Sequence, residues 1–120
     1  MSIKPNTINL LETSLRAIKF RGKVIANNMV NFDTPGYRRK DVKFDNVIAE
    51  AMKTGKVVDV NAAKLDIFET RTGEVDARGN DVNLEREIGE QVKNSGMYKT
   101  NLRLMAKLYS QFSMAISDRS

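Results

Sequence analysis

The sequence predicts a mainly α fold in which long N- and C-terminal helices pair as an antiparallel coiled coil, with a small irregular or β middle segment. Apolar residues recur at alternating steps of three and four at both ends of the chain, which is typical of paired helices. The middle instead holds glycines and short runs of Val, Ile and Leu. At 120 residues, 41% of them hydrophobic, the chain suits one domain, residues 1–120.

The N-terminal helix is predicted over residues 6–32. Thr34 precedes a proline and is therefore disfavoured in a helix, so the helix should end just before it. Gly22 interrupts the apolar stripe at one turn, where a partner can approach closely. The stripe consists of Ile8, Leu11, Leu15, Ile18, Ile25, Met29 and Phe32.

The C-terminal helix is predicted over residues 83–116, with Asn83 as its N-cap. Polar Gln91 and Ser95 interrupt its stripe on consecutive turns. We expect the two stripes to pack together and their surplus surface to contact neighbouring subunits. A small monomeric helical hairpin, without such neighbours, is the alternative. The C-terminal stripe includes Leu84, Ile88, Tyr98, Leu102, Met105, Tyr109, Phe112 and Ile116.

The middle segment, residues 33–80, is predicted to hold a turn and short strands. Residues 41–53 suit a short helix, and residues 57–60 and 65–70 suit strands because they are rich in Val, Ile and Phe. Gly55, Gly73 and residues 78–81 supply turns.

The composition argues against an enzyme. The chain has no His and no Cys, which excludes Ser-His-Asp and Cys-His sites, Cys/His zinc sites and disulfides. The carboxylates of Glu85, Glu87 and Glu90 are explained by the favourable effect of acidic side chains at a helix N-terminus. The sequence therefore predicts no catalytic residue, metal or cofactor, and it shows neither an 18-residue apolar run nor a cleavable signal peptide.

The most specific motif lies at the end of the first helix. Asn28 and Asn31 share a helix face, and the four residues from Thr34 through Pro35 and Gly36 to Tyr37 suit a type II turn. A basic patch follows, consisting of Arg38, Arg39 and Lys40. Residues 1–43 carry nine basic and three acidic side chains, so a small nucleic-acid-binding protein is the alternative hypothesis.

This motif resembles the signature of the bacterial flagellar rod and hook family of axial proteins. The family pattern is Asn-x-x-Asn-x-x-Thr-Pro-Gly-aromatic followed by basic residues, and it matches residues 28–39. Residues 78–87 are similar to the start of the C-terminal helix in the short proximal rod subunits of this family. Val30 departs from the pattern, because the family usually has a small residue between the two asparagines.

The resemblance implies a structural subunit of the proximal rod of the basal body, reached through the flagellar type III export system without a cleaved signal. It implies a position in the periplasm, transmission of torque and contribution to the export channel. The implied partners are copies of the same chain, the rod protein FlgC, the adaptor FliE and the membrane-ring protein FliF. Another axial subunit, such as FlgC itself, is the second alternative.

Overall fold

The computed structural model describes residues 5–118, and its elongated shape measures 68 × 25 × 18 Å. The predicted fold class is confirmed, since long terminal helices flank a small antiparallel sheet. Within the described range, no helix is both long and apolar enough to span a membrane. The elements in chain order are α1 (Pro5–Val30), β1 (Lys40–Lys43), α2 (Asp45–Thr54), β2 (Asp66–Glu69) and α3 (Leu84–Ser117).

Helices α1 and α3 lie side by side in antiparallel orientation. Gln91 Nε2 donates to the carbonyl of Gly22 at 3.1 Å, and Asn94 Nδ2 donates to the carbonyl of Ile18 at 2.8 Å. Residues further along α3 therefore lie opposite residues nearer the start of α1. At this register Pro5 lies opposite about residue 108, so the last turns of α3 extend beyond the described start of α1.

The N-terminal stripe lies where the sequence predicts it. Phe32 follows the helix end and is exposed, and Gly22 is approached closely by the Gln91 and Asn94 side chains. Of the remaining stripe residues, Ile8, Leu15, Ile18 and Ile25 are buried, and Leu11 and Met29 are half-buried.

The C-terminal stripe requires a correction at alternate turns. Ile88, Leu102 and Tyr109 are about half exposed rather than packed against α1, and Leu84 is also exposed. Glu87, Asn101 and Leu108, which directly precede Ile88, Leu102 and Tyr109, are less exposed than these three residues. The covered side of α3 consists of Glu87, Gln91, Asn94, Tyr98, Asn101, Met105, Leu108 and Phe112.

This displacement has a physical reason. Glu87 and Asn94 are polar, yet both are buried on the covered side of α3. Glu87 accepts from Asn28 and Arg39, and Asn94 Nδ2 donates to the carbonyl of Ile18. A hydrophobicity pattern assigns such positions to solvent and selects the apolar neighbour instead. Met105 and Phe112 belong both to the predicted stripe and to the covered side of α3, and both are half-buried.

The middle segment packs on a second face of α1. Leu10, Phe20 and Val24 of α1 contact its core. Strand β1 pairs with β2 in antiparallel register, with Lys40 opposite Glu69 and Lys43 opposite Asp66. The buried core residues of this segment are Val42, Val47, Ala51, Val58 and Leu65.

Two predictions for the middle segment are wrong in detail. Residues 57–60 do not form a strand, because the N–H of buried Val58 donates to Oγ1 of Thr13 on α1 at 3.1 Å instead of to a neighbouring strand. The short helix begins at Asp45 rather than at residue 41, since the preceding residues form β1. It ends at Thr54, and the C-cap residue Gly55 follows with a φ of +68°, which suits glycine.

The small core predicts a clear contrast in stability. Leu65→Ala should lower the free energy of unfolding by about 2–4 kcal/mol, because it opens a cavity among aliphatic side chains. Met52→Ala on the exposed side of α2 should change it by less than about 0.5 kcal/mol. Urea unfolding followed by circular dichroism checks both values, and equal midpoints would contradict this description of the core.

Candidate functional site

The two sequence motifs, residues 28–39 and 78–87, meet in space at the end of α1. The N–H of Gly36 donates to the carbonyl of Arg78 at 2.8 Å. A Cβ added to Gly79 would lie 3.5 Å from the Cα of Gly36, so the two loops pack backbone against backbone. We call this contact between the first turn and the start of α3 the junction.

A tight turn brings the chain back from α1 into the junction. The N–H of Tyr37 donates to the carbonyl of Thr34 at 3.2 Å, and Gly36 has a φ of +76°. Pro35 restricts its own φ at the second position of the turn, and Gly36 has a positive φ at the third. This is therefore the type II turn that the sequence predicts. The turn directs Tyr37 and the residues after it onto the end of α1.

Asn28 is the centre of the junction and is fully buried. Its Oδ1 accepts from the Tyr37 hydroxyl and from the N–H of Lys40, both at 2.9 Å. Its Nδ2 donates to the carbonyl of Lys40 at 2.8 Å and to Glu87 Oε2 at 3.3 Å. One amide therefore links α1 to the turn, to β1 and to α3.

Asn31 holds the other side of the turn. Its Oδ1 accepts from the Thr34 hydroxyl at 3.0 Å, and its Nδ2 donates to the carbonyl of Asn27 at 2.8 Å. Buried Asn80 donates from Nδ2 to the carbonyls of Asn31 and Thr34, at 2.9 and 2.8 Å. A side chain from the second motif thus adds a second hydrogen bond to two turn carbonyls that already accept from Thr34 and Tyr37 N–H groups.

The basic patch requires a correction, because two of its three cations are paired inside the protein. Arg39 is buried and its Nε donates to Glu87 Oε1 at 2.5 Å. Arg38 pairs with buried Asp81 at 3.3 Å, and Asp81 also accepts the N–H of Arg39. Burial disfavours the charge of Arg39, but its hydrogen bond with Glu87 raises its pKa overall.

Lys40 is the residue of this patch that remains exposed, with its ammonium 6.0 Å from the centre of the Tyr37 ring. Burial raises the pKa of the Tyr37 hydroxyl, which the Asn27 amide partly opposes. The three consecutive cations of the predicted basic patch are therefore not all free at the described surface. Sequence reasoning missed the acids that pair with these arginines because they lie more than 40 positions further along the chain.

A line of polar contacts continues from the junction along α1 and α3. Arg21 pairs with Asp41 at 3.1 Å and with Glu90 at 2.9 Å. Burial disfavours its charge, but hydrogen bonds to both carboxylates raise the pKa of Arg21. Further along, Gln91 and Asn94 donate to carbonyls of α1. The signal of this line in the sequence is the pair of polar residues, Gln91 and Ser95, that interrupts the apolar stripe on consecutive turns.

The junction predicts that neighbouring asparagines differ greatly in importance. Asn28→Ala should lower the free energy of unfolding by about 2–4 kcal/mol, because it leaves buried polar groups of Lys40 and Glu87 without their partner. Asn27→Ala removes one exposed hydrogen bond to Tyr37 and should cost less than about 0.5 kcal/mol. Urea unfolding of both variants checks this, and equal losses would show that the Asn28 network contributes little.

The Arg21 contact predicts a dependence on pH. The hydrogen bond from Arg21 lowers the pKa of Glu90 below its ordinary value of 4.5, although burial opposes this shift. A carboxyl with a lowered folded pKa stabilises the protein above its unfolded pKa, and this contribution is lost as the pH falls through the folded pKa. Glu90→Gln should therefore reduce stability at pH 7 and flatten its decline below about pH 4.5.

Urea unfolding between pH 7 and pH 3 measures this effect. Glu74→Gln is the matched control, since Glu74 is an exposed loop residue. Parallel pH profiles for wild type and Glu90→Gln would refute the role given to Arg21.

The known proteins that are similar to this chain over most of its length all carry the same name. The chain is 32% identical over 114 residues to the flagellar basal body rod protein FlgB of Bacillus subtilis (strain 168), covering 88% of each chain. It is 26% identical over 117 residues to the protein of the same name from Aquifex aeolicus (strain VF5), covering 94% of each. The corresponding protein of Borreliella burgdorferi is 23% identical over 124 residues, covering 85% of this chain and 89% of the relative.

No family model matches the sequence. The agreement with the Bacillus subtilis protein extends over nearly the whole chain and includes both motifs of the junction within its length. The chain therefore belongs to the family of the flagellar basal body rod protein FlgB.

Proposed function

We propose that this chain is a structural subunit of the proximal rod, without catalytic activity, that assembles through its two terminal helices. Its relatives are named as flagellar basal body rod proteins, which supports a role in the rod. In this proposal the subunit is exported by the flagellar type III system without a cleaved signal peptide and occupies the periplasmic part of the basal body. There it transmits torque and contributes to the wall of the export channel.

The observation that carries this proposal is the apolar surface of α3. Apolar side chains of α3 that face away from α1, or that lie beyond its described start, have no partner that buries them within the described chain, although covering apolar surface stabilises proteins in water. Neighbouring subunits are the natural cover for such a surface in an assembled rod. The most exposed of these residues are Val92, Tyr109, Met114 and Ile116, each more than half exposed.

The junction supports the same proposal from the other end of the molecule. It fixes the direction in which the middle segment leaves α1, because Asn28, the turn and α3 share one hydrogen-bonded network. A rod subunit needs a fixed angle between its helices and its middle segment, since each copy must present the same surfaces to its neighbours. The pairing of Arg38 and Arg39 with acids also weakens the nucleic-acid hypothesis, because two cations of the basic patch are already engaged within the protein.

The proposed partners are copies of this chain, the rod protein FlgC, the adaptor FliE and the membrane-ring protein FliF. The surfaces proposed for these contacts are the exposed residues of the predicted C-terminal stripe, namely Leu84, Ile88, Leu102 and Tyr109. In the described chain these residues are free to contact a neighbour without first separating from α1.

Mass spectrometry of detergent-washed basal bodies from the source bacterium tests the proposal. Wild type should be enriched together with the ring and rod proteins. Leu102→Asp should fold normally, because Leu102 is 47% exposed, but its level in basal bodies should fall several-fold, since a charge buried by a neighbour lacks a partner.

Thr100→Asp is the matched control, because it places the same charge at another exposed position of α3 and should be incorporated normally. Absence of the wild-type chain from basal bodies would overturn the proposed function. Normal incorporation of Leu102→Asp would instead overturn the assignment of this face to a subunit contact.

A further inference from the structure

A groove of about 500 Å³ lies between α1 and α3, and the proposed contacts above do not use it. Gly22 forms its floor on the α1 side, and Ser95 and Tyr98 line it on the α3 side. A Cβ at Gly22 would lie 3.2 Å from the Asn94 amide, so the glycine allows the Asn94 side chain to lie close to α1.

Asn94 gives the groove an unsatisfied hydrogen-bond acceptor. The residue is only 5% exposed and its Nδ2 donates to the carbonyl of Ile18 at 2.8 Å. Its Oδ1 is buried and has no hydrogen-bond partner in the described chain. Buried polar atoms are almost always paired, so a hydrogen-bond donor from outside the described chain would satisfy this oxygen.

The rim of the groove is positively charged. Lys19 on α1 and Lys99 on α3 both line it and both are exposed. Neither ammonium group lies in an ion pair with a carboxylate among residues 5–118, whereas Arg21 nearby is paired twice. The groove therefore suits an occupant with apolar surface, a hydrogen-bond donor and a negative end.

The last turns of α3 have these three properties. Residues 108–117 contain no charged side chain, and Tyr109, Met114 and Ile116 are each more than half exposed. Ser110 and Ser113 carry hydroxyl donors on the same turns. The last turn has no basic residue, and the exposed carboxylate of the C-cap residue Asp118 adds to the partial negative charge of the helix C-terminus.

We propose that the groove at Asn94 binds the terminal segment of α3, residues 108–117, from a second copy of this chain. A serine hydroxyl donates to Asn94 Oδ1, and Lys19 and Lys99 lie near the negative end of the inserted helix. The contact joins two different surfaces, so it adds copies in one direction and leaves a free groove and a free segment at the two ends. This inference rests on the proposed assembly of the chain in the rod.

Disulfide cross-linking tests the contact without interference, since the chain has no native cysteine. Two full-length variants with different tags, Ser95→Cys and Ser113→Cys, are expressed together in flagellated cells of the source bacterium. After oxidation and purification of basal bodies, mixed dimers should exceed, several-fold, those formed by Thr72→Cys with Ser113→Cys. Thr72 is an exposed loop residue and serves as the control position.

A charge reversal tests the rim. Lys19→Glu combined with Lys99→Glu in the Ser95→Cys copy should reduce the yield of mixed dimers several-fold. Lys23→Glu, at another exposed position of α1 that does not line the groove, should leave the yield unchanged. Equal yields for the two charge changes would overturn the role of the rim lysines.

The remaining outcomes separate this inference from the proposed function. If both cysteine variants are present in basal bodies but mixed dimers do not exceed the control, the docking contact is overturned and the rod function stands. Predominant cross-links to a different protein would overturn the choice of a second copy. If neither variant is found in basal bodies, the proposed function fails, and cross-linking of the purified chains at high concentration then decides the contact on its own.

Discussion

The rest of the structure depends on the buried amide of Asn28 and its contact with the Arg39–Glu87 ion pair. Removing one partner from a buried ion pair leaves an uncompensated charge in a poorly solvated place, so both must be held in position. Glu87 can reach Arg39 only if α3 starts at the end of α1, and Arg39 can reach Glu87 only if the chain reverses at Pro35. The pair thereby determines where the turn, β1 and α3 lie relative to α1.

The two long helices are consequently held together by specific hydrogen bonds as well as by apolar packing. Arg21, Gln91 and Asn94 each contact a particular partner across the seam, which fixes the register of α1 against α3. Much of the apolar surface of α3 is left on the outside. This division suits a rod subunit, because intramolecular contacts define its shape while exposed apolar residues remain available to neighbouring copies.

The success of sequence-based prediction differs between the two helices for one physical reason. The stripe of α1 is apolar and faces inwards, so Ile8, Ile18 and Ile25 are buried as predicted. The inward side of α3 carries Glu87 and Asn94, so hydrophobicity points one position too far and selects exposed neighbours. The prediction of the basic patch was wrong for a related reason, since a local pattern of cations contains no information about the distant acids that pair with them.

The sequence by itself determined what depends on neighbouring residues: the two long helices, the Asn83 cap and the turn at Pro35 and Gly36. These features follow from backbone preferences and local hydrogen bonds, which act over a few residues. Only the tertiary structure decided which polar side chains are buried and which apolar ones stay exposed. Burial of a charged or amide group is stable only when a partner is brought to it from elsewhere in the chain, and the partners of Asn28 and Arg39 on α3 lie 59 and 48 positions away.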